Sequence, residues 1–185
     1  YIAELEKVVK LNQEMIEKSK QFIQNHFKSF SSMHQCYVCG AGANYGTALE
    51  GALKIGETIH VPSHCYEIEE YIHGPNLQLT PSYTVIFFDG NDKASKRVQQ
   101  VYLATKKVTD HCFMISNTYQ DEHVLSLSEQ VIEELSSLVY LPFVQILSFE
   151  ISNSLKSVYQ HPLLKEFKKI ASAKTENFVN YDEDD

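Results

Sequence analysis

Four side chains between residues 50 and 73 are of the types that transfer protons and hold charge. Glu50, Lys54 and Glu57 are spaced i, i+4 and i+7, so they share one face of a predicted helix. His73 follows in a His-Gly-Pro turn, and imidazole exchanges protons near neutral pH. The residues alone favour the simpler reading of a solvated helix face with ion pairs of about a few tenths of a kcal/mol, followed by a structural histidine.

A glycine-rich turn precedes that helix and could border a ligand site. The turn runs from Gly40 to Gly46, and its G-x-G-x-x-x-G spacing is one residue longer than the dinucleotide fingerprint. This spacing argues against a nicotinamide cofactor, but backbone N–H groups at a helix N-terminus can hold an anion. We therefore take Gly42, Ala43 and Asn44 as candidate substrate-binding residues. A tight strand-to-helix connection that needs small residues explains the turn equally well.

Metal and redox centres are not supported by the spacing of histidines and cysteines. His60 and His64 are four residues apart, but Pro62 between them indicates extended chain rather than one face of a helix. Cys36 and Cys39 lie inside a predicted strand, where the thiols would be buried and unreactive. We predict that the protein uses no cofactor.

Strands that alternate with helices indicate a parallel sheet covered on both faces. Ligands of such sheets bind at the carboxyl ends of the strands, and the glycine turn follows the first strand. The predicted helices cover 1–30, 45–59, 93–106, 128–138 and a stretch from Pro142 to Val158, with a short helix after His161-Pro162. The predicted strands or extended segments cover 35–39, 60–68, 84–88, 112–116 and 123–127.

Composition limits the classes of protein to which the chain can belong. Its 185 residues suffice for one α/β domain, and a net charge of −8 without basic clusters argues against a nucleic-acid surface. No uninterrupted apolar run approaches the roughly 20 residues of a membrane span. Four cysteines form no disulfide framework, so we predict a cytoplasmic protein. The chain begins at Tyr1 without a methionine, which suggests a piece of a longer polypeptide, and its acidic end is predicted to be disordered.

Two motifs together resemble the SIS (sugar isomerase) family. They are ALEGALKIGE at residues 48–57 and HGP at residues 73–75, and the chain looks most like the second of two SIS domains in glucosamine-6-phosphate synthase and in fructosamine-6-phosphate deglycases. The resemblance implies a three-layer α/β/α sandwich with a flavodoxin-like, parallel, five-stranded sheet. It divides the chain into a leading helix (1–30), a SIS domain (31–162) and a C-terminal tail (163–185).

The resemblance also implies roles for individual residues. Glu57 matches the catalytic base that moves a proton between C1 and C2 of an open-chain sugar phosphate. His73 matches a histidine that assists ring opening across a subunit interface, and Lys54 and Glu50 match charged neighbours on the helix. Lys168 and Lys169 are the nearest candidates for a lysine that the synthase carries near its C-terminus, and we take Lys168 as a candidate substrate-binding residue.

Two features differ from the family pattern. The Ser/Thr-rich loop that holds phosphate in the first SIS domain does not occur in this sequence, and the HPL at residues 161–163 is closer to the deglycases. The resemblance thus implies the C-terminal half of a phosphosugar isomerase or deglycase that binds a sugar phosphate and forms at least a homodimer. The alternative is a SIS domain without catalytic activity that senses sugar phosphates or serves dimerisation.

Overall fold

The computed structural model describes residues 2–157 and 164–171. His161-Pro162 and the acidic C-terminus, on which two of the predictions above depend, lie outside the described residues.

Five parallel strands form one sheet in the order β2-β1-β3-β4-β5. The strands are β1 (Cys36–Gly40), β2 (Ser63–Glu67), β3 (Thr84–Phe88), β4 (Cys112–Ile115) and β5 (Val124–Leu125). All residues of β1, β3 and β4 are buried, which explains why their sequences are continuous apolar runs rather than alternating ones. The flavodoxin-like sheet that the sequence predicted is confirmed.

Helices cover both faces of this sheet and complete the predicted three layers. They are α1 (Ile2–Asn25), α2 (Phe27–Ser31), α3 (Asn44–Ile59), α4 (Ile68–Ile72), α5 (Ser95–Thr105), α6 (Ser136–Leu155) and α7 (Leu164–Ile170), with 3-10 turns at Pro75–Gln78 and Glu133–Leu135. One apolar cluster joins α1, α3 and α6 to Val38, Ile86 and Phe113 of the sheet. A second joins α4 and α5 to Tyr37 and Phe87 on the opposite face. Each large apolar side chain buried in this way contributes about 1.5–3 kcal/mol.

The leading helix is not continuous to residue 30, as the sequence predicted. The backbone of His26 leaves helical geometry with φ −109° and ψ 20°, and α2 begins one residue later. The His26 ring nitrogen Nε2 donates to the carbonyl of Glu122 at 3.0 Å, and the ring packs against Phe113 and His123. These contacts lie about 90 residues away in sequence, so helical periodicity could not reveal the break.

The two helices predicted near residues 128–138 and from Pro142 are one helix, α6, with Pro142 inside it. Proline has no N–H to donate to the carbonyl four residues earlier, here Leu138. The Asn12 side chain of α1 donates to this carbonyl at 2.9 Å and so replaces the missing helical bond. Residues 128–132 are not helical, since Ser128 N and Ile132 N donate to Glu14 and Glu4 of α1. Both differences therefore have their cause in contacts with α1.

One helix within the described residues, Glu133–Leu155, is long and apolar enough to cross a membrane by length and composition. More than half of its apolar window is buried inside the protein, where Phe143, Leu147 and Ile151 are fully covered. Burial between α1, α3 and the sheet accounts for its composition, as in the core helices of globular proteins.

Replacing Asn12 with Ala should lower the free energy of unfolding by about 1 kcal/mol, because the Leu138 carbonyl would lose its only side-chain donor among the described residues. Chemical denaturation measures this change. Gln13→Ala is the matched control, since Gln13 is exposed and its side chain bonds to Glu17 on the same helix.

Measuring Asn12→Ala in a Pro142→Ala background tests whether the bond from Asn12 to the Leu138 carbonyl, rather than general helix packing, accounts for the loss of stability. Alanine restores the N–H that Leu138 can accept, so the cost of Asn12→Ala should fall markedly in the double variant. Equal costs in both backgrounds would show that Asn12 does not replace the helical bond.

Acidification should destabilise the protein through His26. Burial lowers the pKa of His26 against the opposing effect of the Glu122 carbonyl, and His123 lowers it further. A depressed histidine pKa means that the folded state favours neutral imidazole. The contribution of His26 to stability is therefore fully present above the ordinary histidine pKa of about 6.5, and it is lost as the pH falls through the lower pKa of the folded state. Urea unfolding between about pH 5 and 7 should show a shallower pH dependence for His26→Gln than for the wild type. Exposed His34 provides the control, and His34→Gln should leave the slope unchanged.

Candidate functional site

Helix α3 carries Glu50, Lys54 and Glu57, and one glycine sets its position. A Cβ atom on Gly51 would lie 2.9 Å from Val144 Cγ1 of α6 and 3.3 Å from Val38 Cγ1 of β1. Helix α3 therefore lies too close to α6 and the sheet for any larger residue at this point. The glycine of the EGALK motif is explained by this packing, and the charged face of α3 points away from it.

Lys54 joins the two glutamates of this face. Its Nζ lies 2.8 Å from Glu57 Oε2 and 3.6 Å from Glu50 Oε1. The hydrogen bond to Glu57 is the main reason that the pKa of Lys54 is raised, so the ammonium form is favoured. About half of the Glu57 side-chain surface remains exposed. The structure thus brings these three residues together as the sequence predicted.

A groove with a volume of about 540 Å³ runs beside Glu57, between α3 and the edge strand β2. Cys65 and Ser63 of β2 line one side, and Leu49 and Leu53 of α3 line the other. Both leucines are about half exposed. Sequence reasoning missed this groove, although the i, i+4 spacing of Leu49 and Leu53 was a signal of an apolar stripe beside the charged one.

His73 terminates α4 and has one ring nitrogen available for chemistry. Its Nδ1 lies 2.6 Å from the carbonyl oxygen of Glu69, which can only accept, so Nδ1 carries a proton. The side chain is exposed. The nitrogen left for acid–base exchange is therefore Nε2.

Glu57 and His73 are not brought together within one chain. Helix α3 packs on one face of the sheet, whereas α4 packs on the other face through Ile68 and Tyr71. None of the cavities found among residues 2–157 is lined by both Glu57 and His73.

The glycine turn has an acidic environment. Gly42 adopts a left-handed φ of 52°, and a Cβ atom there would lie 2.8 Å from Asp92 Oδ2 and 3.4 Å from Glu133 Oε1. The N–H groups of Asn44 and Tyr45 donate to Ala41 and Gly42 within the turn. Nearby carboxylates disfavour an anion at this turn, and the predicted role of Gly42 and Ala43 in substrate binding stays a prediction.

The Asn44 side chain is fully buried and bonded within the protein. Its Nδ2 donates to Ser136 Oγ at 2.8 Å, and its Oδ1 accepts from Thr47 Oγ1 at 3.3 Å. These bonds tie the start of α3 to the start of α6. The geometry therefore explains Asn44 as a structural residue, and any contact with substrate would have to come from its backbone.

Lys168 lies in α7, but its side chain is outside the described residues. Its predicted role in substrate binding stays a prediction.

The carboxyl edge of the sheet holds a buried carboxylate that sequence reasoning treated only as the end of a strand. Asp89 follows β3 and accepts hydrogen bonds from Ser95, Gln99, Ser116 and Thr118. Burial alone would raise the pKa of Asp89, but these hydrogen bonds outweigh it and lower the pKa. Because its acceptor positions are occupied from within the protein, Asp89 stabilises the β3 and β4 ends rather than offering a free base.

Comparison with known proteins gives the same family as the motifs. A family model described as "SIS domain" matches residues 29–128, more than half of the chain. Glutamine–fructose-6-phosphate aminotransferase (isomerizing) of Clostridium perfringens is 30% identical over 122 residues, which make up 60% of this chain and 20% of the relative.

Solved structures share the fold. A Clostridium difficile 630 protein provisionally described as a phosphosugar isomerase superposes with a TM-score of 0.79 and 23% identity over 94% of this chain and 50% of that one. The C-terminal domain of glucosamine-fructose-6-phosphate aminotransferase from Francisella tularensis has a TM-score of 0.71 and 20% identity over 83% of this chain and 44% of that one. The chain thus spans about a fifth of the curated relative and about half of these solved chains. The motif on α3, the five-stranded parallel sheet and the matching family model lead to one conclusion, that the chain belongs to the SIS domain family.

Proposed function

We propose that this chain is the C-terminal SIS domain of an enzyme that binds a sugar 6-phosphate and moves a proton between C1 and C2, as an isomerase or a deglycase. The observation that carries this proposal is the Glu57 carboxylate, paired with Lys54 and half exposed beside a groove. Relatives named for fructose-6-phosphate amination and isomerisation support the substrate class.

We assign a separate role in this reaction to each of three residues of this chain. The Glu57 carboxylate removes the proton from C2 of the open-chain aldose, the O2 hydroxyl proton moves to O1 in the resulting enediolate, and Glu57 returns its proton to C1, which leaves a ketone at C2 and a hydroxyl group at C1. The Lys54 ammonium lies 2.8 Å from the same carboxylate and is placed to stabilise the negative charge on the enediolate oxygen. His73 Nε2 exchanges a proton with the ring oxygen when the cyclic sugar opens.

We infer that a further protein domain or a second copy of this chain contributes part of this site. Among the described residues, the groove beside Glu57 is lined by α3 and β2, and its leucines remain about half exposed. The acidic surroundings of Gly42 leave the glycine turn poorly suited to a phosphate. We infer that the phosphate is held by a preceding SIS domain and that His73 acts on the site of a second copy, so the working unit is at least a dimer.

A SIS domain that only senses sugar phosphates or mediates dimerisation is the competing function. The exposed Leu49 and Leu53 beside the groove favour a docking face of this kind. It differs from an enzyme in needing no carboxylate base, so turnover that depends on Glu57 distinguishes the two.

In the intact protein, Glu57→Gln should lower kcat by about a thousandfold, because the amide keeps the size of the side chain but cannot take up a proton. Interconversion of glucose 6-phosphate and fructose 6-phosphate, and cleavage of a fructosamine 6-phosphate, provide the two assays. Exposed Glu6→Gln is the matched control and should retain full activity. Wild-type rates in the Glu57→Gln protein would exclude Glu57 as the base, whereas no turnover by the wild-type protein in either assay would favour the competing function.

Mixing two inactive variants tests whether His73 acts across an interface. If Glu57→Gln and His73→Asn subunits exchange freely, half of the dimers contain one site with both wild-type residues, and activity should return to about a quarter of the wild-type value. No recovery, with subunit exchange shown by mass spectrometry, would mean that both residues serve the site from the same chain.

A further inference from the structure

A second cavity lies on the face of the sheet opposite Glu57. It occupies about 240 Å³ between α5 and the segment that leads from α4 into the 3-10 turn. Its apolar lining comes from Ile72, Leu79, Val101, Ala104 and Val108. A cavity of about 150 Å³ suffices for benzene, so this one has room for an aromatic ring that carries a small head group.

The charged groups at this cavity favour a neutral occupant. Arg97 lines the cavity, but its Nε and Nη2 donate to the two carboxylate oxygens of Glu69 at 2.7 and 3.2 Å. A guanidinium paired bidentately in this way offers little net charge to an anion, and the carboxylate offers little to a cation. The remaining polar side chains of the lining include Asn76 and Gln100, which are both uncharged amides.

The Asn76 side chain has a polar atom that lacks a hydrogen bond. Its Oδ1 is buried and has no hydrogen-bond partner among the described residues. An unpaired buried acceptor costs about 1–3 kcal/mol. The terminal torsion of asparagine is soft, so the carboxamide can turn its edge toward the cavity, where a ligand N–H could supply the missing bond.

We propose that this cavity binds a small, neutral aromatic molecule with an amide-like edge, a donor and an acceptor side by side. A carboxamide presents the same donor and acceptor pattern as Asn76, so the two edges can form two parallel hydrogen bonds while the ring fills the apolar part. The site is distinct from the groove beside Glu57. It is linked to His73 through Glu69, whose carboxylate holds Arg97 and whose carbonyl accepts from His73 Nδ1.

Three probes of nearly equal size test which head-group charge the cavity prefers. Benzamide, benzoate and benzylammonium carry the same ring with a neutral, an anionic and a cationic group. Ligand-observed NMR titration of the full chain should give a dissociation constant on the order of 1 mM for benzamide, in the range of fragments that bury one ring. Benzoate and benzylammonium should bind at least about tenfold more weakly, since neither matches both edge atoms of Asn76.

Two variants place the binding in this cavity. Ala104→Phe fills the space from the exposed side of α5 and should abolish benzamide binding, whereas Leu103→Phe, on the same helix but outside the lining, should not. Asn76→Leu should remove the preference for benzamide over the charged probes. The proposal is overturned if benzamide does not saturate, if a charged probe binds equally well, or if Ala104→Phe, shown by circular dichroism to be folded, still binds. Because the readout is binding and not turnover, the result is independent of whether Glu57 is a catalytic base.

Discussion

The close approach of α3 to α6 and β1 at Gly51 is the constraint on which the candidate site depends. A larger residue would overlap with Val144, and α3 would have to move away from the sheet. The same contact fixes the rotation of α3, which buries Ala48, Ala52 and Ile55 and leaves Glu50, Lys54 and Glu57 on the outer side. The start of α3 is fixed separately by the buried Asn44–Ser136 bond. A rigid helix can hold catalytic groups in place more accurately than a loop.

Glu57 and His73, the proposed acid–base residues, are carried by helices on opposite faces of one sheet. The sheet, which is buried on both sides, lies between the helix that carries Glu57 and the helix that ends at His73. Each residue faces outward on a surface with exposed apolar neighbours, Leu49 and Leu53 beside Glu57 and Leu77 beyond His73. Exposed apolar groups next to functional ones are typical of surfaces that other protein covers.

Different regions of the protein present different charges to a ligand. On the α3 face, Lys54 bridges Glu50 and Glu57, and no other lysine bridges two glutamates within the described residues. The Lys54 ammonium can stabilise negative charge that develops on a ligand. The strand edge around Gly42 presents Asp92 and Glu133 instead. The surroundings of Gly42 at the carboxyl edge of the sheet are therefore more acidic than the α3 face, where Lys54 pairs with both glutamates.

The sequence by itself determined the fold class, most element bounds and the grouping of Glu50, Lys54 and Glu57, because these follow from local periodicity and from a specific motif. It did not determine where α1 breaks, or that α6 passes through Pro142, because His26 and Asn12 act through partners about 100 residues or more away. It also could not show that Gly42 faces two carboxylates or that the sheet separates Glu57 from His73. Only the tertiary structure decides such matters, since they depend on which distant groups the packing brings into contact and on which face of the sheet each helix lies.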